Sequence, residues 1–239
     1  MFEIAMDGAA KNALGSDMMQ FLLDRLEEAA GRPILLTGAG NSFSAGLNLV
    51  EVASLDARGM EAFLALLERM MSALFSYPAP LVGFINGHAI AGGCVMTLCC
   101  DHRVAAPEPR SLIGLNELAL GMHYPPRVMA IVRHRVPRQH VERVVLGAEL
   151  FDPRTALALG LLDEIAEDGR AAAERELARR ASYDPRAYAA AKAALRGDAL
   201  RGAGEDASLI ARELVPAWTS PAIRERIAAL LGRSGSRSR

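Results

Sequence analysis

The 239-residue chain reads as an α/β protein that ends in a helical region. Three observations carry that reading. Short apolar runs at Phe2–Met6, Pro33–Thr37 and Leu81–Asn86 have the length of buried strands. Between them lie segments whose apolar residues recur at helical spacing. From Asp168 onward alanine, arginine and glutamate dominate, and a helical pattern runs to about Leu231. The chain therefore divides into a core over 1–165, a helical region over 166–232 and a charged, Ser/Gly-rich tail over 233–239 that is expected to be disordered. No internal repeat at a fixed period is visible.

The elements follow in order. Phe2–Met6 alternates weakly, and Asp7-Gly8 ends it. Ser16 is expected to cap a helix that runs through about Ala30, with Met19, Leu22, Leu23 and Leu26 on one face and Gly31 as its stop. After the strand Pro33–Thr37 comes a polar glycine loop, Gly38–Leu49. Ala57–Ser76 is a second amphipathic helix, ended by Pro78 and Pro80. Arg103–Ala106 and Ser111–Ile113 read as short strands. Helices are expected from Pro125-Pro126, over Arg138–Gly147 and over Pro153–Gly160, with a strand near Leu161–Ile165.

The organising stretch is Leu81–Cys100, LVGFINGHAIAGGCVMTLCC, which has no formal charge. It is long enough to be weighed as a membrane span. Asn86, His88, the clustered glycines and the abrupt Asp101-His102-Arg103 argue instead for a buried strand, a tight segment Gly87–Gly93 and a buried helix from near Gly92. A helix start offers unpaired N–H groups and partial positive charge, and Gly92 and Gly93 leave room for a ligand to approach them. A strand–turn–helix with no chemistry is the plain alternative.

Composition narrows the function. A net charge of −1 gives no basic field for nucleic acid. Arg127, Arg133, Arg135, Arg138 and Arg143 form a local basic stretch, read as a solvated helical face rather than a phosphate site. Cys94, Cys99 and Cys100 show neither disulfide nor zinc spacing and read as buried thiols in a reducing compartment. The start, MFEIAMDG, lacks a secretory pattern, so a cytoplasmic location is expected. The loop Gly38–Leu49 has no lysine for a phosphate-binding loop and fails the dinucleotide spacing. The five histidines lack metal-ligand spacing, so no metal is expected, and Ser44 is not in a nucleophile elbow.

Two glycine turns, near Leu47 and Gly92, each follow an apolar strand. Two main-chain amides from separate turns can hold one carbonyl oxygen as it becomes negative. Glu117, in the apolar and glycine-bounded IGLNELALG, is the candidate acid–base group, because a desolvated carboxylate has a raised pKa. A turn cap or an arginine partner is its structural alternative. His123-Tyr124, just past Gly121, either shapes a substrate pocket or packs.

These segments together resemble the crotonase, or enoyl-CoA hydratase/isomerase, superfamily. The resemblance spans roughly Met1 to Ile165. It rests on Lys11-Asn12-Ala13-Leu14, on the FSAGLNL of Gly38–Leu49, on INGHAIAGGC (Ile85–Cys94), on Cys100-Asp101-His102-Arg103 and on IGLNELALGM. It implies a spiral of ββα units followed by helices that assemble trimers, often paired into hexamers. It implies an oxyanion hole formed by the N–H groups of Leu47 and Gly92, and an acyl-CoA thioester as ligand. Ala45, Asn48 and Leu49 would line the CoA site, with Lys11 and Ala13 near its nucleotide end. No permanently bound cofactor is implied, since coenzyme A arrives as part of the substrate.

The departures are informative. Hydratases of the family use two glutamates; one matches Glu117, and Val95 stands at the other. The Δ3,Δ2-enoyl-CoA isomerases need one, and their motif resembles GLNE, so the expected activity is the isomerase. A hydratase or another crotonase-type lyase or hydrolase is the alternative, and a non-catalytic CoA-thioester binder the third. Asn48 stands where many members have Asp, and the usual leading strands are reduced.

Overall fold

The computed structural model describes residues 1–201, 203 and 209–236. Five parallel strands form the main sheet in the order β1 (Phe2–Met6), β2 (Ile34–Gly38), β4 (Leu81–Ile85), β6 (His102–Ala105) and β8 (Glu164–Ile165). A smaller parallel sheet holds β3 (Ser42–Ser44), β5 (His88–Ile90) and β7 (Ile113–Gly114). Consecutive pairs β2–β3, β4–β5 and β6–β7 thus send one strand to each sheet, and a helix follows each pair. That is a repeating ββα spiral.

The central strands are apolar because both faces of the main sheet are covered, as parallel sheets require. Every residue of β2 is buried, and its register sets Ile34 against Phe2 on one side and Leu81 on the other. One face meets α2 (Ser16–Ala29), which packs in turn on α4 (Ala57–Ser76). The other meets α10 (Gly169–Ala181), whose Ala172, Ala173 and Leu177 pack on Leu35, Val82 and Val104. The helical region therefore completes the core. Next to it, α11 (Pro185–Leu200) is held by a buried ion cluster: Asp101 accepts from Lys192 Nζ and Arg196 Nη2, each at 2.8 Å.

α4 has the bounds its periodicity predicts. Asp56 starts it by accepting from Gly59 N at 2.8 Å. α5 (Gly92–Cys99) has no exposed residue at all, so it carries no amphipathic pattern.

Several elements differ from expectation. Ser16 is not a cap: Gly15 holds that position, and the start of α2 is satisfied by the Glu51 carboxylate, which accepts from Ser16 N and Oγ. An acid there also faces the positive end of the helix. The loop Gly38–Leu49 contains β3 and opens α3 (Leu49–Ser54), capped by Asn48, whose Oδ1 accepts from Glu51 N. The segment Gly87–Gly93 contains β5. After α7 (Pro126–Arg135), α8 (Val141–Leu146) and α9 (Pro153–Ala158) are shorter than expected. Of the basic stretch, Arg135 is drawn inward onto the carbonyls of Leu98 and Cys100, and Arg127 pairs with Glu68, so the stretch is not a uniformly solvated face.

The chain ends in a π-helical turn (Ile210–Leu214), α12 (Val215–Trp218) and α13 (Pro221–Ser236). The expected tail begins inside α13, and its residues 237–239 lie outside the described residues. Among the described residues no helix is long and apolar enough to cross a membrane.

Candidate active site

Two backbone turns interlock at the centre of the molecule. Gly46 has φ +87°, a left-handed conformation that a side chain would strain, and a β-carbon there would stand 2.7 Å from Ile90 O. A β-carbon on Gly93 would lie 2.5 Å from Ser44 O. The two turns approach this closely only because both positions are glycine. Between them Ala91 takes φ 50°, ψ −122°, a sparsely populated conformation that aims the start of α5. Ser44 is structural: its Oγ donates to Asn12 O at 2.8 Å and accepts from Gly46 N at 3.2 Å.

This brings Leu47 and Gly92, the residues of the two predicted amides, next to each other. A β-carbon on Gly92 would meet Leu47 Cδ2 at 3.6 Å. Gly92 is the first residue of α5, where a backbone N–H has no intrahelical acceptor. Neither Leu47 N nor Gly92 N donates to a turn, loop or strand partner among the described residues.

Glu117 faces the same space. It opens the one-turn helix α6 (Glu117–Leu120), which Gly121 ends in a left-handed conformation, φ 76°. Leu47, Gly92, Glu117, Tyr124, Val128 and Trp218 surround a tight cavity of about 20 Å³. Glu117 is 8 % exposed. Burial pushes its carboxyl up to about 7, and hydrogen bonds from the backbone and from Tyr124 oppose that rise. Tyr124 Oη donates to Glu117 Oε2 at 2.9 Å. Trp218 closes the cavity from the helical region, with its indole Nε1 donating to His123 O at 3.1 Å.

The other predicted residues fall differently. Ala13 and Asn48 line a separate, open groove of about 540 Å³ on the far side of the Leu47 turn, with Asp7, Phe21 and Glu51. Lys11 sits in a left-handed turn, α1 (Ala9–Asn12), and its carbonyl accepts from Ala45 N at 3.0 Å. Leu49 begins α3 and packs partly against the core. Val95 is wholly buried in the core and does not line the Glu117 cavity. Cys94, beside it, is also buried; burial first and the nearby Glu117 second push its thiol up. Sequence reasoning missed Trp218, which no local pattern ties to this site, and it left Tyr124 as either packing or pocket. Among the described residues no group of three His, Cys, Asp or Glu side chains is placed to hold a metal.

The family model for enoyl-CoA hydratase/isomerase matches residues 1–217. The chain belongs to the enoyl-CoA hydratase/isomerase family. It is 34 % identical over 145 residues to the mitochondrial enoyl-CoA delta isomerase 1 of Mus musculus, a match covering 60 % of this chain and 50 % of the mouse protein. It therefore spans only about half the length of that relative. A putative enoyl-CoA hydratase of Thermus thermophilus is 33 % identical over 175 residues, covering 70 % of this chain and 68 % of that one. The crystal structure of human mitochondrial delta3-delta2-enoyl-CoA isomerase superposes with a TM-score of 0.92 at 25 % identity, over 98 % of this chain and 95 % of that one. The ββα spiral with its C-terminal helices is thus the crotonase architecture. Isomerases and hydratases both stand among the relatives of this family member.

Proposed function

We propose that the chain is an enoyl-CoA isomerase that converts a 3-enoyl-CoA into the conjugated 2-enoyl-CoA. The observation that carries this reading is that one carboxylate, Glu117, lines the same small cavity as Leu47 and Gly92, whose main-chain N–H groups have no backbone acceptor among the described residues. The thioester oxygen would accept from both amides. Glu117 removes a proton from C2, the C2–H electrons flow into the dienolate, and the oxygen takes up negative charge. The amides stabilise that charge, and losing one such donor costs on the order of 3–4 kcal/mol in barrier. Glu117 then returns its proton at C4, which leaves the double bond between C2 and C3. The near-neutral carboxyl suits both halves, since it must accept and then release one proton.

Adding water across the double bond would use a second carboxylate. At that position the chain has Val95, turned into the core, which favours the isomerase over the hydratase. Coenzyme A enters with the substrate, and the reading needs no resident cofactor. The groove beside Ala13 and Asn48 is the space offered to the CoA portion. Self-association as a trimer or a pair of trimers belongs to this reading, and light scattering tests it.

The deciding experiment supplies 3-enoyl-CoA and follows the absorbance of the conjugated product. Wild type should turn over, and Glu117→Gln should lose about 10²–10⁴-fold. A 3-hydroxyacyl product from 2-enoyl-CoA would assign the hydratase instead. Acyl-CoA binding without turnover on either substrate would assign a binding protein.

A further inference from the structure

Tyr124 is the side chain that holds one of the two Glu117 oxygens, Oε2, while the backbone N–H groups of Glu117 and Asn116 also act on the carboxylate. A terminal carboxylate torsion is broad and roughly two-fold, so an unsupported Glu117 in an apolar cavity would present either oxygen in several orientations. The Tyr124 phenol donates to Oε2 at 2.9 Å and removes that degeneracy. Tyr124 is itself fixed. It follows the Gly121 turn, precedes Pro125-Pro126 at the start of α7, and is anchored next door by His123 O on the Trp218 indole. Its ring also forms a wall between the Glu117 cavity and an open groove of about 710 Å³ lined by Met129, Arg133 and Leu209. The cap on Oε2 is therefore a tethered phenol on the side of that groove.

We propose that Tyr124 is a positioning residue: by holding Oε2 it orients Glu117 so that Oε1 alone carries the proton between C2 and C4. This rests on the isomerase reading for its chemistry, but the hydrogen bond acts in the unliganded protein as well. The proton balance is unchanged by it. Oε1 takes the C2 proton and gives it up to C4, while the phenol keeps its own proton throughout.

Beside the backbone N–H groups of Glu117 and Asn116, the other side chains facing Glu117 bring no donor to Oε2. From α5 the titratable neighbour is the buried Cys94, whose thiol burial keeps protonated. From the segment before α7 there are His123 and Tyr124. From α4, Leu67 and Met71 are apolar, and the neighbouring Glu68 is bound to Arg127. From α13, Arg226 reaches Leu120 O at the far end of α6. From α12, Trp218 brings only an indole already donating to His123 O. Tyr124 is thus the side-chain donor that stabilises the ionised carboxylate, in line with the direction of its effect on Glu117.

The test is Tyr124→Phe, which keeps the ring and removes the donor. Glu117 is titrated directly in the unliganded protein by carbon NMR of labelled glutamate, with Glu117→Gln to assign the signal. The midpoint should rise by about one to two pH units, the worth of a hydrogen bond to a charged group. With 3-enoyl-CoA, kcat at pH 7 should fall about 5- to 50-fold while KM stays within about two-fold, and the deficit should shrink at high pH. On a Glu117→Gln background, Tyr124→Phe should cost nothing further. Should Tyr124→Phe fold poorly, phenolate absorbance in Glu117→Gln is the second measurement: Tyr124 should ionise at lower pH once the carboxylate is gone. An unmoved Glu117 midpoint, or a Tyr124→Phe loss that persists without Glu117, overturns the proposal. A shifted midpoint in a protein that does not isomerise would sink the isomerase reading and leave the Tyr124–Glu117 coupling intact.

Discussion

Gly93 lies so close to Ser44 that a β-carbon on it would stand 2.5 Å from the Ser44 carbonyl oxygen. The obstacle is backbone, so no rotamer change relieves it. Gly93→Ala must therefore push the Leu47 turn away from the start of α5 and separate the two amides. Overpacking of this kind costs about 1–3 kcal/mol. A displacement near 1 Å at a reacting centre costs about 10²-fold in rate. Thermal melts and turnover of 3-enoyl-CoA check both halves. A variant with wild-type rates would mean that the spacing of these turns does not serve catalysis.

Glu117 is a liability to the fold, and that liability is measurable. Its carboxyl moves from a reference of 4.5 to about 7 in the folded chain. A raised carboxylate pKa means that the folded state binds the proton more tightly than the unfolded chain does. Its favourable contribution is complete below about 4.5 and is lost as pH rises through about 7. A shift of this size corresponds to about 3 kcal/mol, to order of magnitude. Glu117→Gln should accordingly match wild type in stability below about pH 4.5, exceed it increasingly up to about pH 7, and keep a constant advantage above that. Denaturant melts at several pH values test this, and a difference that does not vary with pH would rule out a buried, near-neutral carboxyl.

How far the sequence disclosed all this depends on the kind of signal. α4 was legible to the residue because its apolar stripe repeats over twenty positions between Asp56 and Pro78. β2 and β4 were legible as apolar runs between breakers. β3 and β5 were not, because strands of three residues carry no period and β3 buries two serines. Glu117, Leu47 and Gly92, which line one cavity, stand out in the sequence as candidates because a carboxylate in an apolar frame and glycines after strands are local patterns. Trp218 and the Asp101 cluster were not, because their partners lie far away in sequence. The Glu51 cap on α2 belongs to the same class: nothing near Ser16 reveals a carboxylate that arrives from α3.

The acid limb of the rate profile should report Glu117 in the free enzyme. The ionised form is the base, so kcat/KM should rise about tenfold per pH unit below a midpoint near 7 and level off above it. Cys94 should leave no imprint on this range, since burial drives its thiol far up. Stopped-assay rates from pH 5 to 9 give the curve. A flat profile across that interval would show that another group, or product release, governs the rate.

Asp101 adds a charged tie between α11 and the core to the apolar packing of the helical region. Its carboxylate accepts from Lys192 and Arg196 at 2.8 Å, from Tyr188 Oη at 2.9 Å and from Leu81 N at 2.8 Å. Both cations are 7 % exposed. Arg196 also donates to the carbonyls of Phe75 and Cys99, at the C-terminal ends of α4 and α5, where positive charge is favourable. Asp101→Ala would leave two buried cations without their counter-charge and cost about 3–5 kcal/mol. For a chain of this size that is a fall of about 10 °C in melting temperature. Replacing Lys192 by Met together with Asp101→Asn should recover part of the loss, because the charge and its partner leave together. Melting curves of the single and double variants decide it; a single variant as stable as wild type would show that α11 is held by packing on α4 and α7 alone.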